Sequence, residues 1–254
     1  MKIVVTMGRG GTGKTSFVAM MARALIGAGA TPLLLVDVDP DQNLGEMVGV
    51  DLEARGKRTI SELLDETFLQ RGGTTVGIAP SERIESRIWE QGIYEDRDFD
   101  FLAVGTKWIE GCYCLPDAAL KSALSSLLKN YRYVLIDSPA GLEHLNRRIT
   151  GKVDDIFDVI GPSRKSFAHV QRAFRVLREV GISFSHFYGV GGYLFPEELE
   201  QDVQNIPFLT YLGRIAFDPR VGEAGIAGRS LLDLPEDSPG YSSVRAILER
   251  AGYL

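Results

Sequence analysis

Short apolar runs, most of them closed by aspartate, glycine or proline, alternate along this chain with longer segments whose apolar residues recur every three or four positions. Runs of the first kind read as buried strands and segments of the second kind as amphipathic helices. Residues 2–6 form the first strand, and residues 17–25 continue as a helix rich in Ala and Met. Residues 31–39 (TPLLLVDVD) run apolar into two aspartates, which predicts a parallel strand ending at a ligand-bearing edge. Further strands are predicted over 99–104, 133–137, 187–193 and 208–217, with a strand end entering a loop at 158–163. Helices are predicted over 59–64, 118–128, 166–179 and the tail from Ser242. Residues 72–100 look irregular, although Ile84, Ile88 and Trp89 are spaced for one helical face. Strand and helix in alternation predict an α/β fold, a doubly wound and mostly parallel sheet with helices on both faces. The 254 residues suit one such domain, 1–254, and no repeat or linker divides them.

The first strand and helix enclose the most informative residues, Gly8-Arg9-Gly10-Gly11-Thr12-Gly13-Lys14-Thr15-Ser16. The pattern G-x-x-x-x-G-K-T at Gly8, Gly13, Lys14 and Thr15, after a strand and opening a helix, is that of a phosphate-binding loop. Its glycines let the N–H groups of residues 10–13 turn inward around an anion, and the helix N-terminus points at the same place. Lys14 supplies a point charge to the β and γ phosphates, and the Thr15 hydroxyl is placed to hold Mg²⁺. The run Tyr133-Val134-Leu135-Ile136-Asp137 has the Walker B pattern, with Asp137 in the Mg²⁺ shell. Ser138-Pro139-Ala140-Gly141 then reads as a second nucleotide-sensing loop, in which the Gly141 N–H can approach a γ-phosphate.

Charge and composition narrow the picture. A net charge of −6 and a pI near 5.2 argue against a nucleic-acid binder. No apolar run is long enough to span a bilayer, and the N-terminus enters the phosphate loop too soon for a signal peptide, so a cytoplasmic protein is expected. The tail reads as a helix packed on the domain, not a stable membrane anchor. The two cysteines are Cys112 and Cys114. In extended backbone residues i and i+2 face one side, so this pair would present two thiolates to one point. A two-fold dimer would bring four, a set suited to Zn²⁺, Ni²⁺, Cu⁺ or an iron–sulfur cluster. Two buried structural cysteines are the other reading.

The loop R-G-G-T-G-K-T resembles that of the deviant Walker A ATPases, with Arg9 where the family has lysine. The resemblance implies a cation that reaches across a dimer to the partner's nucleotide, a role the forked guanidinium of Arg9 can take. Asp37-Val38-Asp39-Pro40 resembles the family's D-x-D-P segment and implies that Asp39 orients or deprotonates the attacking water, with Asp37 and Asp41 nearby. The GCYC of residues 111–114 and the AGLEHLNR of residues 140–147 resemble the CooC-type ATPases that mature carbon monoxide dehydrogenase. That resemblance implies a homodimer that uses ATP/ADP and Mg²⁺ and binds Ni²⁺ or Zn²⁺ through Cys112 and Cys114. Its implied client is carbon monoxide dehydrogenase or a related nickel enzyme. Where relatives carry Asn-Lys this chain has Gly191-Gly192, so that position does not identify the base-binding residue. Ile215 to Asp218 is similar to the I-P-x-D segment that flanks the base. His144 reads as a metal ligand, a switch residue or a structural histidine, and His169 as a surface or packing residue. Two alternatives stand beside this reading. One is a partition-type switch acting on DNA or membrane. The other is an iron–sulfur electron carrier, against which the absence of Cys from SPAGLEHL counts.

Overall fold

The run Lys2–Gly8 (β1) lies at the centre of the sheet because apolar layers cover both of its faces. The structure is a computed structural model that describes residues 1–67, 79–105, 114–139 and 152–254; for Pro80 and residues 114–118 the backbone alone is described. After β1 come α1 (Lys14–Gly27), β2 (Leu33–Asp37), α2 (Asn43–Met47), α3 (Ile60–Asp65) and α4 (Pro80–Arg87). Then follow β3 (Tyr94–Glu95), β4 (Asp100–Ala103), α5 (Cys114–Leu127), β5 (Tyr133–Asp137), β6 (Asp155–Ile160) and α6 (Arg164–Glu179). The last elements are β7 (His186–Gly191), α7 (Glu200–Gln204), β8 (Thr210–Arg214), α8 (Pro219–Ile226) and α9 (Pro239–Arg250).

The strands pair in the order β3-β4-β2-β5-β1-β6-β7-β8. Every pairing is parallel except that of β3 with β4. Alternation along β1 sends Ile3, Val5 and Met7 into one core and Val4 into the other. The first core is closed by α3, α4, α5 and α6, the second by α1, α2, α8 and α9. Strands covered on both faces read as unbroken apolar runs, as this sequence does. The helix start at Thr59 is a capping box: Thr59 accepts the Glu62 N–H, and the Glu62 carboxylate accepts the Thr59 N–H at 3.0 Å.

Several expectations shift at their edges. The last strand is shorter than residues 208–217: it spans Thr210–Arg214, and inside it Gly213 adopts φ +118° and the pairing with β7 is irregular. The segment expected to be irregular contains α4, a π-helical turn at Ile88–Gly92 and β3. Its Ile84 and Ile88 are buried and Trp89 packs against them, as their spacing requires. Extended backbone does not hold at Cys114, which is the first residue of α5; Pro116 suits the first helical turn, where no N–H is needed. Cys112, Gly141, His144 and the AGLEHLNR segment lie outside the described residues. No helix among the described residues is long and apolar enough to cross a membrane.

Candidate nucleotide site

Strand register gathers the candidate residues at one edge of the sheet. Asp137 at the end of β5 pairs with Thr6 of β1 on one side and Asp37 of β2 on the other. The phosphate loop leaves β1 two residues later. Gly13 takes φ +92° and caps α1, where its carbonyl accepts the Phe17 N–H at 2.9 Å. The Thr12 hydroxyl donates to the Arg9 carbonyl at 2.9 Å and the Lys14 ammonium reaches the same oxygen at 3.4 Å. Gly10 and Gly11 are exposed, Thr15 and Ser16 half-buried, and Lys14 is 6% exposed. Arg9 is solvent-exposed.

Asp137 is fully buried, and neither carboxylate oxygen has a hydrogen-bond partner of ordinary geometry. Burial pushes its carboxyl up to about 7; the Thr15 hydroxyl and Lys14 pull it down, while Asp37 and Asp39 push it further up. An orphaned buried carboxylate beside a hydroxyl is an oxygen donor set for a hard divalent cation. Thr15 and Asp137 therefore fit Mg²⁺.

The three acids of the loop after β2 are not equivalent. Asp37 is buried, and its carboxylate accepts the N–H groups of Asp39 at 3.0 Å and Leu44 at 2.9 Å. It fastens the loop at both ends. Burial raises its carboxyl to about 6 despite those two donors. Asp39 stays half-buried and accepts the Asp41 N–H at 3.1 Å; Asp41 itself is exposed. The Val38 N–H donates to the Asp137 carbonyl at 3.0 Å, so this loop is tied to β5.

Four further residues stand at this edge: Phe217 lies in the segment similar to the one that flanks the base, His169 reads from sequence as a surface or packing residue, and sequence assigns Tyr193 and Asp158 no functional role. Tyr193, just beyond β7, lies against the loop: a Cβ built on Gly13 would meet its ring at 3.2 Å. Its ring centroid is 6.4 Å from that of Phe217, and the two rings are 39% and 62% exposed. Half-buried His169 has a buried Nε2 without a partner; burial, Arg9, Arg172 and Lys14 all hold the ring below its ordinary value. Asp158 is fully buried in the middle of β6. Its signal was legible, an acid in the apolar run DIFDVI, whereas nothing local marks Tyr193 or His169 as part of the site. The side chain of Cys114 is not described, and among the described residues no group of three or more His, Cys, Asp or Glu is placed to hold a metal.

Comparison with known proteins adds to this geometry. A family model described as AAA domain (AAA_31) matches residues 1–180. An uncharacterized ATP-binding protein of Methanocaldococcus jannaschii is 31% identical over 98% of this chain and 97% of its own length. The carbon monoxide dehydrogenase accessory protein CooC of Rhodospirillum rubrum is 30% identical over 99% of this chain and 98% of its own. Among solved structures, the septum site-determining protein MinD of Pyrococcus horikoshii, complexed with Mg-ADP, matches with a TM-score of 0.68. It is 23% identical, and the match covers 98% of this chain and 95% of that one, a likeness of fold.

Proposed function

Because the chain belongs to the AAA_31 family of AAA domains, we propose that it is a nucleotide-dependent homodimeric ATPase that assists metal insertion into carbon monoxide dehydrogenase or a related nickel enzyme. The observation that carries this reading is the end-to-end match to the carbon monoxide dehydrogenase accessory protein, 30% identical over 99% of the chain.

In this reading the N–H groups of Gly10, Gly11, Thr12 and Gly13 and the side chains of Lys14 and Ser16 hold the phosphates. Thr15 and Asp137 would hold Mg²⁺, which when bound would supply charge neutralisation to the phosphates. Asp39 orients the attacking water, and Arg9 of one subunit neutralises charge developing on the other's nucleotide. The Gly141 N–H approaches the γ-phosphate. The exposed Tyr193–Phe217 pair offers the base a stacking surface next to the loop. Nickel or zinc is cargo, bound by Cys112 and Cys114 from both subunits. Closure of the dimer on ATP then alters the spacing of four thiolates, so metal and nucleotide affinities are linked reciprocally.

The test is metal stoichiometry with no nucleotide, with ADP and with a non-hydrolysable ATP analogue, alongside mass by light scattering. One metal per dimer, nucleotide-sensitive and lost in Cys112→Ala/Cys114→Ala, is the expected result. A metal-free protein that still hydrolyses ATP overturns the cargo role and moves the reading to a partition-type switch. A brown protein on anaerobic purification moves it to iron–sulfur chemistry.

A further inference from the structure

Phe217 is 62% exposed, yet the backbone on both sides of it is tied to the start of α9. The loop that carries it joins the end of β8 to the start of α8. After Phe217 comes Asp218, which is buried. Its Oδ1 accepts the Arg220 N–H at 3.0 Å and so caps α8. Its Oδ2 accepts the Ser238 hydroxyl at 2.5 Å and the Gly240 N–H at 3.3 Å. One carboxylate therefore closes the N-termini of two helices, where its negative charge is favoured by both dipoles. Gly240 permits the approach, since a Cβ there would stand 3.2 Å from the Cβ of Asp218. Engaged through both oxygens, this carboxylate is a clamp on the loop.

Before Phe217 comes Ala216, in the second position of the segment similar to I-P-x-D. A proline there would have a fixed φ and no N–H. Alanine has a free φ and an N–H that needs a partner. The Ser243 hydroxyl of α9 accepts that N–H at 2.9 Å, and it is itself oriented by donating to the Gly240 carbonyl at 2.7 Å. A hydrogen bond thus restrains the loop where the motif uses a ring. The exposed ring of Phe217 stands 6.4 Å from that of Tyr193, tilted by 33°. Such a ring has little packing of its own, so its backbone decides where it stands. We propose that Ser243 is a positioning residue, which through the Ala216 N–H takes the place of the motif's proline and holds Phe217 beside Tyr193 as one stacking surface for the base. The inference rests on the reading of Tyr193 and Phe217 as the base surface.

Titrations with ADP and with pyrophosphate, on Ser243→Ala, Ser243→Thr, Phe217→Ala and the double variant Ser243→Ala/Phe217→Ala, test this. Ser243→Ala is expected to weaken ADP about fivefold, the worth of one hydrogen bond, and to leave pyrophosphate unchanged because the phosphate loop is untouched. Ser243→Thr keeps the hydroxyl and should bind ADP like wild type. In the Phe217→Ala background Ser243→Ala should cost nothing further, because the ring it places is gone. ADP affinity unchanged in Ser243→Ala, an equal loss for pyrophosphate, or a further loss in the double variant overturns the proposal. A merely structural Ser243 would lower the melting temperature and leave the ratio of ADP to pyrophosphate affinity unmoved. Phe217→Ala that binds ADP like wild type overturns the base-surface reading instead, and a wild type that binds neither ligand overturns the nucleotide reading.

Discussion

A Cβ built on Gly192 would lie 2.4 Å from the carbonyl oxygen of Thr12, so the residue after β7 touches the backbone of the phosphate loop. The Gly192 N–H donates to the Ile160 carbonyl at 2.8 Å, which prevents the chain from backing away. Any side chain there must displace the loop. Gly192→Ala is expected to weaken ADP binding tenfold or more, a loss of about 1.4 kcal/mol. Gly222→Ala on α8, where a Cβ meets nothing within 4 Å, serves as the control and should leave binding unchanged. Equal affinities for the two variants would show that the loop accommodates the contact.

Asp37 and Asp39 are expected to separate in their effects. Asp39→Asn should reduce kcat by about 10²-fold or more while ADP affinity holds, the signature of a group acting on the water. Asp37→Asn removes the acceptor of the Asp39 and Leu44 N–H groups and should lower both stability and nucleotide affinity. Single-turnover hydrolysis, ADP titration and thermal melts together distinguish the two. An Asp39→Asn enzyme with normal kcat would remove its assigned role.

Phe217→Ala and Tyr193→Ala test the base surface. Loss of one stacking face is worth about 1–3 kcal/mol in nucleic-acid recognition. ATP affinity should therefore fall about tenfold or more, with pyrophosphate affinity unchanged for Phe217→Ala. Equal losses for both ligands would mean that the ring supports the loop and not the base. Tyr193 lies on Gly13, so its variant is expected to affect both ligands, ATP the more strongly.

Acid stability should depend on Asp155 at the opposite edge of the sheet. Its buried carboxylate accepts from Tyr253 at 2.6 Å and His186 at 2.7 Å and pairs with Lys2 at 2.8 Å. Burial acts to raise its carboxyl, and the Lys2, Tyr253 and His186 donors together hold it below the ordinary range. A depressed acid stabilises the fold above the unfolded-state value near 3.8 and loses that contribution as pH falls through the lower folded value. Asp155→Asn is expected to destabilise by about 3 kcal/mol at neutral pH and to flatten the stability profile in acid. Melts from neutral to acid pH check this; parallel wild-type and variant profiles would refute it.

The strand–loop–helix at the N-terminus was legible because its chemistry is local. The spacing of Gly8, Gly13, Lys14 and Thr15 is itself the loop geometry, and the glycine dihedrals agree with it. The runs of β2, β4, β5 and β7 were legible because burial on both faces demands unbroken apolar residues. The short α2, α7 and β3 were not, since five residues or fewer carry too little periodicity to distinguish. Asp37 and Asp39 were both flagged, but their division of labour depends on which carboxylate the loop closes over.

By itself, then, the sequence determined a parallel α/β sheet with a phosphate loop on its first strand and an acid closing the Walker B strand. Tertiary structure alone decided what surrounds the loop. Tyr193 and Gly192 come from 180 positions away, and they meet the loop because β6 and then β7 follow β1 in the strand order. The same holds for Asp155 and Tyr253, 98 residues apart and joined by one hydrogen bond. Parallel strands are linked by long crossovers, so no local turn fixes their neighbours or register; only packing of both sheet faces against their helices selects them.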